Sequence, residues 1–377
     1  MVLNESAMLQ MLEKADKILL IEPKYKKKYP ALGLAKLKAY LDQKGKQVKV
    51  SSFILPEKFD LICITTLFSY HSEAVLDILN YRGFHNINTP ILVGGIFASM
   101  MPKVFEKYKN VSVFRGFSKT LDLVVPDKEI MADVDPPWDD YSYVFTSRGC
   151  VNRCAYCCVW KIEPERWINP RWMDMIDHDK KCIMIFDNNL SSLKFAHLKH
   201  LIDHLVKIDK RVIFNSGFDC KYIDKKVADQ IGRLKYKQGG VKLAFDRIEE
   251  DGAFQKALKL ILKQDIPKYC ISSYVLFNFN DTPKEADYRA RECAKLGIRP
   301  YPQCYTPLYA MDKKHTWIGK HWTISLTRAF RFFWLQRWSY LKMEFADYIK
   351  TDYAINLFKL TKRDFDCFER DTKKYGE

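Results

Sequence analysis

The 377-residue chain is 47% hydrophobic and 29% charged, proportions that permit a buried core and exclude a disordered polyelectrolyte. No stretch reaches the ~18 uninterrupted apolar residues of a membrane-spanning helix, so no membrane partner is expected. The formal charge of +16 admits nucleic acid, an anionic small substrate or a lysine-rich surface. Its dispersal through "KYKKKYP" (24–30), "DKKCIM" (179–184) and "RLKYKQ" (233–238) favours solvated faces.

The opening "MVLNESAMLQMLEKADKILLIEP" carries acidic residues early and no basic start before an apolar run, so no secretory leader is expected. Eleven cysteines without a regular framework then imply reduced thiols and a cytoplasmic location. "KILLIE" (17–22) reads as a buried strand, and "ALGLAKLKAYLDQKG" (31–45) as an amphipathic helix stopped by Gly45. "QVKVSSF" (47–53) alternates like a strand, "FDLICITTL" (59–67) is a buried one, and "SYHSEAVLDILNYRG" (69–83) is helical. "PILVGG" (90–95) gives a strand and a Gly94-Gly95 turn before another helix, and "VSVFRG" (111–116) gives a last strand. Alternating strands and helices imply a parallel, doubly wound, Rossmann/flavodoxin-like α/β domain over 1–125. The proline- and acid-rich stretch 126–142 reads as a linker.

The alternation resumes with strands expected at 143–147, 182–187, 211–216, 241–246, 270–277 and 301–306, separated by helical stretches. Six such units predict a partial (β/α)6 barrel of the TIM type over 143–310, with functional groups at the carboxyl ends of its strands. Residues 311–377 are expected to form a helical, aromatic-rich C-terminal region, whose aromatics suit packing better than an RNA platform.

"SRGCVNRCAYCCVW" (147–160) places Cys150, Cys154, Cys157 and Cys158 just after the first expected barrel strand. The spacing Cys-x3-Cys-x2-Cys lets three thiolates converge on one metal centre. Three ligands suit a cluster with one open iron, whereas structural zinc usually takes four. Cys158 adjoins Cys157 and is expected to point elsewhere. Cys63, Cys182, Cys220, Cys270, Cys293, Cys304 and Cys367 lie singly and read as mostly core thiols.

"CVNRCAYC" (150–157), with an aromatic before its last cysteine, resembles the signature of the radical S-adenosylmethionine (radical SAM) enzymes, and the likeness extends over 143–310. It implies a [4Fe–4S] cluster on Cys150, Cys154 and Cys157, with S-adenosylmethionine chelated to the open iron. Reductive cleavage would give a 5′-deoxyadenosyl radical that takes hydrogen from a substrate, with an electron donor such as flavodoxin or ferredoxin. By position, Asp187, Asn188 and Asn189 in "FDNNL" would receive the methionine ammonium, in place of the Gly-Gly-Glu common in the family. Asn215 and Ser216 would meet the ribose or carboxylate, Asp246 and Arg247 would stand after strand four with the arginine suited to the carboxylate, and Tyr156 would back the adenine. Each polar strand-end residue also suits a helix cap. Asp219 would face the barrel mouth, and Cys304, beside Tyr305, would donate hydrogen to a substrate radical or lie as a buried bystander. "NFNDTP" (278–283) stands where relatives turn with glycine, which is missing.

The N-terminal order resembles the cobalamin-binding domain of one radical SAM branch, but Asp-x-His-x-x-Gly is absent, and His71 and His85 fall in or just after an expected helix. The reading preferred over bound cobalamin is a domain that lost its cofactor and roofs the active site. Tyr25, Tyr29, Tyr301, Tyr305 and Tyr309 would then stack on a flat substrate or serve the core. The expected activity is radical chemistry on a small molecule, with a modified-nucleobase salvage lyase of the queuine-lyase type as its most specific form. The alternatives are a tRNA- or RNA-modifying enzyme, a cobalamin-dependent methyltransferase, and a non-enzymatic metal-stabilised binding module.

Overall fold

A computed structural model describes residues 1–81, 88–312 and 317–369 of the chain, which divides into two units. One comprises Met1–Lys181 with Leu308–Lys314, and the other Cys182–Pro307 with His315–Glu377. Both are mixed α/β and built mostly on parallel pairing. His85 lies outside the described residues.

The first unit runs β1 (Val2–Leu3), α1 (Glu5–Lys14), β2 (Lys17–Ile21), α2 (Leu32–Gln43), β3 (Gln47–Ser51), β4 (Leu61–Thr66), α3 (Ser72–Asn80), β5 (Ile91–Gly95), α4 (Ile96–Met100) and β6 (Val111–Phe114). It continues through α5 (Lys119–Asp122), α6 (Lys128–Ala132), β7 (Tyr141–Val144), β8 (Ser147–Arg148), α7 (Val159–Ile162) and β9 (Trp167–Ile168). Strands β1 to β6 form one sheet in the order β1-β6-β5-β4-β2-β3, and every pairing is parallel.

Both faces of this sheet are covered, which is why "KILLI" and "LICI" are apolar throughout rather than alternating. Leu19, Ile21, Ile62, Ile64, Ile91 and Val93 pack with Val75 and Leu79 of α3 and Phe97 of α4. Their neighbours Ile18, Leu20, Leu61, Cys63 and Leu92 pack with Met8 and Leu12 of α1 and Leu34, Ala35 and Leu41 of α2. Each large aliphatic side chain buried this way stabilises the fold by roughly 1.5–3 kcal/mol. At the expected turn, Gly95 has φ +101°, and a Cβ there would stand 2.1 Å from the Thr66 carbonyl oxygen. Only glycine fits.

Several expectations shift. The strand expected at 143–147 is split into β7 and β8, with the Phe145 ring turned against the Arg148 guanidinium, 3.5 Å from its centroid. The stretch 126–142 contains α6 and a 3-10 turn at Trp138–Asp140, and Asp135 accepts the Lys28 N–H at 2.8 Å. His71 closes a 3-10 turn ahead of α3 rather than lying inside the helix.

The second unit runs β10 (Cys182–Ile185), α8 (Phe195–Ile208), β11 (Arg211–Phe214), β12 (Phe218–Asp219), α9 (Lys225–Ile231), β13 (Val241–Ala244), α10 (Ala253–Leu262), β14 (Ile271–Phe277), α11 (Pro283–Lys295) and β15 (Arg299–Cys304). β10 pairs with β11, and β12-β13-β14-β15 form a second run, all parallel. Bonds from Val212 N–H to Lys235 O and from Phe214 N–H to Gly240 O carry pairing from β11 toward β13. Helix α11 starts sharply because Thr282 and Glu285 form a reciprocal capping box with Pro283 in the first turn.

The C-terminal stretch is not one long helix but α12 (Ile324–Leu335), α13 (Arg337–Lys342), α14 (Phe345–Tyr348), α15 (Asp352–Phe358) and α16 (Lys362–Glu369). Its aromatics are core: Phe330, Phe333, Trp334 and Phe345 are fully buried, and Phe330 meets Phe277 of β14 at 4.7 Å.

Candidate metal centre and strand-end site

Strands β8 and β9 pair antiparallel, with Arg148 opposite Trp167 and Ser147 opposite Ile168, and so close the base of the loop that carries the four cysteines. Gly149 enters this loop at φ +77°, and a Cβ there would meet the Glu165 carbonyl oxygen at 2.3 Å. Behind it lies a buried ionic group. Arg148 donates to Asp122 through Nε at 2.7 Å and Nη2 at 2.9 Å, and to Glu163 at 3.2 Å. Lys36 donates to Asp122 at 2.7 Å, and Glu163 accepts the Gly149 N–H at 2.9 Å.

Within the loop, the Cys157 N–H donates to Cys154 O at 3.0 Å, Trp160 Nε1 donates to the same carbonyl at 3.0 Å, and the Asn152 N–H points at Cys150 Sγ at 3.3 Å. All four cysteines are half-buried, as is Tyr156, and Cys158 stands at the N-cap of α7. Burial pushes the Cys157 thiol up to about 12; a backbone bond at Val159 works against this, and the sulfurs of Cys158, Cys154 and Cys150 add to it. Cys150, Cys154 and Cys157 are therefore electrostatic neighbours. Among the described residues, however, no group of three or more His, Cys, Asp or Glu side chains stands in metal-ligand geometry. The donor chemistry of the loop, three thiols within eight residues, suits a thiolate-bound metal group.

The strand-end residues belong to the second unit, whereas the cysteines belong to the first. After β10, Asp187 and Asn189 are buried and Asn188 is half-buried. Ser191 ties two strand ends together: its hydroxyl bonds Asn189 Oδ1 at 3.2 Å and the Asp219 backbone at 3.1 and 3.3 Å. The Asp219 carboxylate accepts the Lys221 N–H and caps its own turn. Asn215 donates its N–H to Ile185 O, and its carbonyl accepts from the Tyr274 hydroxyl at 2.9 Å, beside half-buried Ser216. Asp246 accepts the Leu276 N–H at 3.0 Å, and Arg247 is exposed and meets Glu250 at 3.3 Å. Asp219 and Arg247 thus have partners within their own turns, and Asp246 has one on the neighbouring strand β14.

At the end of β15, burial pushes the Cys304 thiol up to about 11, while the Asn278 amide, 3.6 Å away, works to lower it. Tyr305 packs against Phe279 at 4.5 Å and Trp317 at 4.8 Å. Asn278 adopts φ +63° and accepts the Gly319 N–H at 2.9 Å. Asparagine therefore makes the left-handed turn expected of the missing glycine.

The five tyrosines are divided between the two units. Tyr25, Tyr29 and Tyr309 lie in the first unit and Tyr301 and Tyr305 in the second. Tyr29 faces Trp138, exposed Tyr309 meets Lys161, and Tyr301 meets Tyr274 edge-on at 5.9 Å. Tyr25 occupies a special place. The order of the first sheet reverses between β2 and β4, the position where open parallel sheets offer a ligand crevice. There the Tyr25 hydroxyl accepts the Leu67 N–H at 3.3 Å, and its ring meets His71 at 4.9 Å.

Two features went unnoticed in the sequence. One is the ionic group of Lys36, Asp122, Arg148 and Glu163, which draws on four distant segments. The other is Lys242, on the face of β13 opposite fully buried Val241 and Leu243. Its ammonium donates to Phe214 O at 3.2 Å, next to the Asn215 carbonyl bonded by Tyr274. Burial lowers its pKa to about 8. The lysine in "VKLAF" was its only signal.

No model of a known protein family matches the chain, and a search of curated proteins found no match.

Proposed function

We propose that this chain is a radical SAM enzyme acting on a small-molecule substrate. The observation that carries the reading is the Cys-x3-Cys-x2-Cys loop at Cys150, Cys154 and Cys157, with Tyr156 before its last cysteine. Cys150, Cys154 and Cys157 would hold a [4Fe–4S] cluster, which with S-adenosylmethionine would supply radical chemistry for hydrogen abstraction from the substrate. In this reading β10 to β15 belong to a partial (β/α)6 barrel of the TIM type, supported by parallel strands that follow one another in chain order. Asp187, Asn188, Asn189, Asn215 and Ser216 orient the cofactor at its polar groups. Asp219 and Arg247 also maintain the turns beside them, and Asp246 ties the end of β13 to β14, consistent with their partners. Cys304 and Tyr305 face the substrate, and the raised pKa of Cys304 keeps its S–H intact as a hydrogen donor.

The first sheet is read as a Rossmann-like domain working without a corrinoid. Tyr25 and His71 near its reversal point support this, because Tyr25 there bonds the Leu67 N–H and packs on His71. The proposed partner is a one-electron donor such as flavodoxin or ferredoxin, and the substrate is a free nucleobase-like molecule, cleaved as by a salvage lyase in the cytoplasm.

The test uses anaerobically reconstituted protein with S-adenosylmethionine and dithionite, supplied with either a nucleobase-rich small-molecule pool or bulk tRNA. The proposal expects 5′-deoxyadenosine formation to be stimulated by the pool alone. Stimulation by tRNA alone would replace the small-molecule reading with an RNA-modifying one.

A further inference from the structure

Both ends of the cysteine loop run to a single residue that lies outside it. On the entry side, Arg148 grips both carboxylate oxygens of Asp122, at 2.7 and 2.9 Å. On the exit side, just past β9, Asn169 Nδ2 donates to the Asp122 backbone carbonyl at 2.9 Å. Glu163 links the two sides by accepting from Arg148 at 3.2 Å and from the Gly149 N–H at 2.9 Å. Lys36 of α2 completes the group, 2.7 Å from Asp122. Asp122 and Lys36 are each 3% exposed and Asn169 is 1% exposed, so these bonds lie almost wholly out of bulk solvent.

The charges balance, with two cations facing two carboxylates. Burial works to raise the Asp122 carboxyl, but Arg148 and then Lys36 hold it below the usual carboxylate range, so it stays ionised and keeps its grip. The stretch between the loop ends holds α7 and otherwise irregular backbone around the cysteines, tied by contacts such as Cys157 N–H and Trp160 Nε1 to Cys154 O. Ligands carried on irregular backbone depend on the hydrogen bonds that support it from outside.

We propose that Asp122 is the positioning residue of the cysteine loop, pinning its entry at Arg148 and its exit at Asn169 so that Cys150, Cys154 and Cys157 are presented together. This rests on the reading of that loop as the cluster site. Asp122 acts through Arg148, Glu163 and Asn169. It also makes the N-terminal segment, through α2 and α5, a working part of the metal centre.

The experiment compares wild type, Asp122→Asn and Asp122→Glu. Hydrogen–deuterium exchange is read on metal-free protein over 149–168, with β4 and β5 as internal references. Iron and sulfide per chain and the reduced-state EPR spectrum are read after anaerobic reconstitution. Asp122→Asn is expected to speed loop exchange at least tenfold with the reference strands unchanged, to halve iron incorporation or worse, and to broaden the EPR signal; Asp122→Glu restores part of each. Wild-type exchange in the loop of Asp122→Asn would overturn the proposal. Failure of the wild type itself to take up iron and sulfide would overturn the cluster reading, and the exchange comparison would still decide the positioning role. If Asp122→Asn does not fold, Asn169→Ala, which removes no charge, serves the same comparison: faster loop exchange supports the proposal and unchanged exchange overturns it.

Discussion

Arg148 meets Asp122 with two nitrogens on two oxygens, a bidentate contact between the residue preceding the cysteine loop and the last residue of α5. Both are held in a buried group with Lys36, so removing one partner leaves the others uncompensated. Asp122→Ala is expected to destabilise the fold by about 3–5 kcal/mol. Adding Lys36→Met should return part of that loss, because one stranded cation disappears. Urea unfolding of the single and double variants checks the sign: a double variant weaker than Asp122→Ala would contradict the account.

Gly149 stands at φ +77° with a backbone oxygen 2.3 Å from where a Cβ would be. The left-handed conformation alone costs a non-glycine residue roughly 1–2 kcal/mol, and relieving the clash must move Glu165 or the loop entry. Gly149→Ala is therefore expected to lower thermal stability and to reduce iron uptake on reconstitution. Wild-type iron content in a folded Gly149→Ala protein would show that the loop entry does not need this geometry.

How much of this was legible beforehand differs by element. The buried strands at 17–21 and 61–66 declared themselves, because a strand covered on both faces carries a continuous apolar run, here 18–21 and 61–64. The cysteine loop was equally plain, since its spacing is local. The Asp122 group was not, because its members are separated by up to 127 positions from Lys36 to Glu163, and nothing in a single sequence pairs them (163 − 36). The short strands β1, β8, β9 and β12 are two residues each, too brief to show a period, yet β8 and β9 set the base of the candidate site. Arg247 carried a double meaning in the sequence, as a ligand or a cap, and its guanidinium meets Glu250 of the next turn at 3.3 Å.

Lys242 makes the clearest pH prediction. Its folded pKa of about 8 lies below the ~10.4 of an unfolded lysine. Between those values the unfolded chain binds more protons, so stability contributed by this group rises with pH, and below about 8 the folded state bears the whole cost of a buried charge. Lys242→Met should therefore raise stability at pH 7 by about 1–3 kcal/mol, allowing for partial access to water. The gain should shrink above pH 8 and vanish near pH 11. Thermal melts of both proteins from pH 6 to 10 test this, and a gain that grows with pH would contradict it.

Asn278 combines a left-handed backbone with a side chain that accepts the Gly319 N–H. Asn278→Gly keeps the turn and loses the bond, for an expected cost of about 1–3 kcal/mol from the buried donor left unsatisfied. Asn278→Val loses both and should be worse. Equal stability of the two variants in urea unfolding would indicate that the backbone conformation carries no strain there.

The most direct test of the central claim is the yield of 5′-deoxyadenosine from S-adenosylmethionine and dithionite, using anaerobically reconstituted wild type, Cys154→Ser and Cys158→Ser with iron content measured in parallel. The account predicts product from wild type and from Cys158→Ser, and loss of both product and iron in Cys154→Ser. Wild-type protein that carries its iron and sulfide yet forms no 5′-deoxyadenosine, or Cys154→Ser that forms it at the wild-type level, would contradict the account.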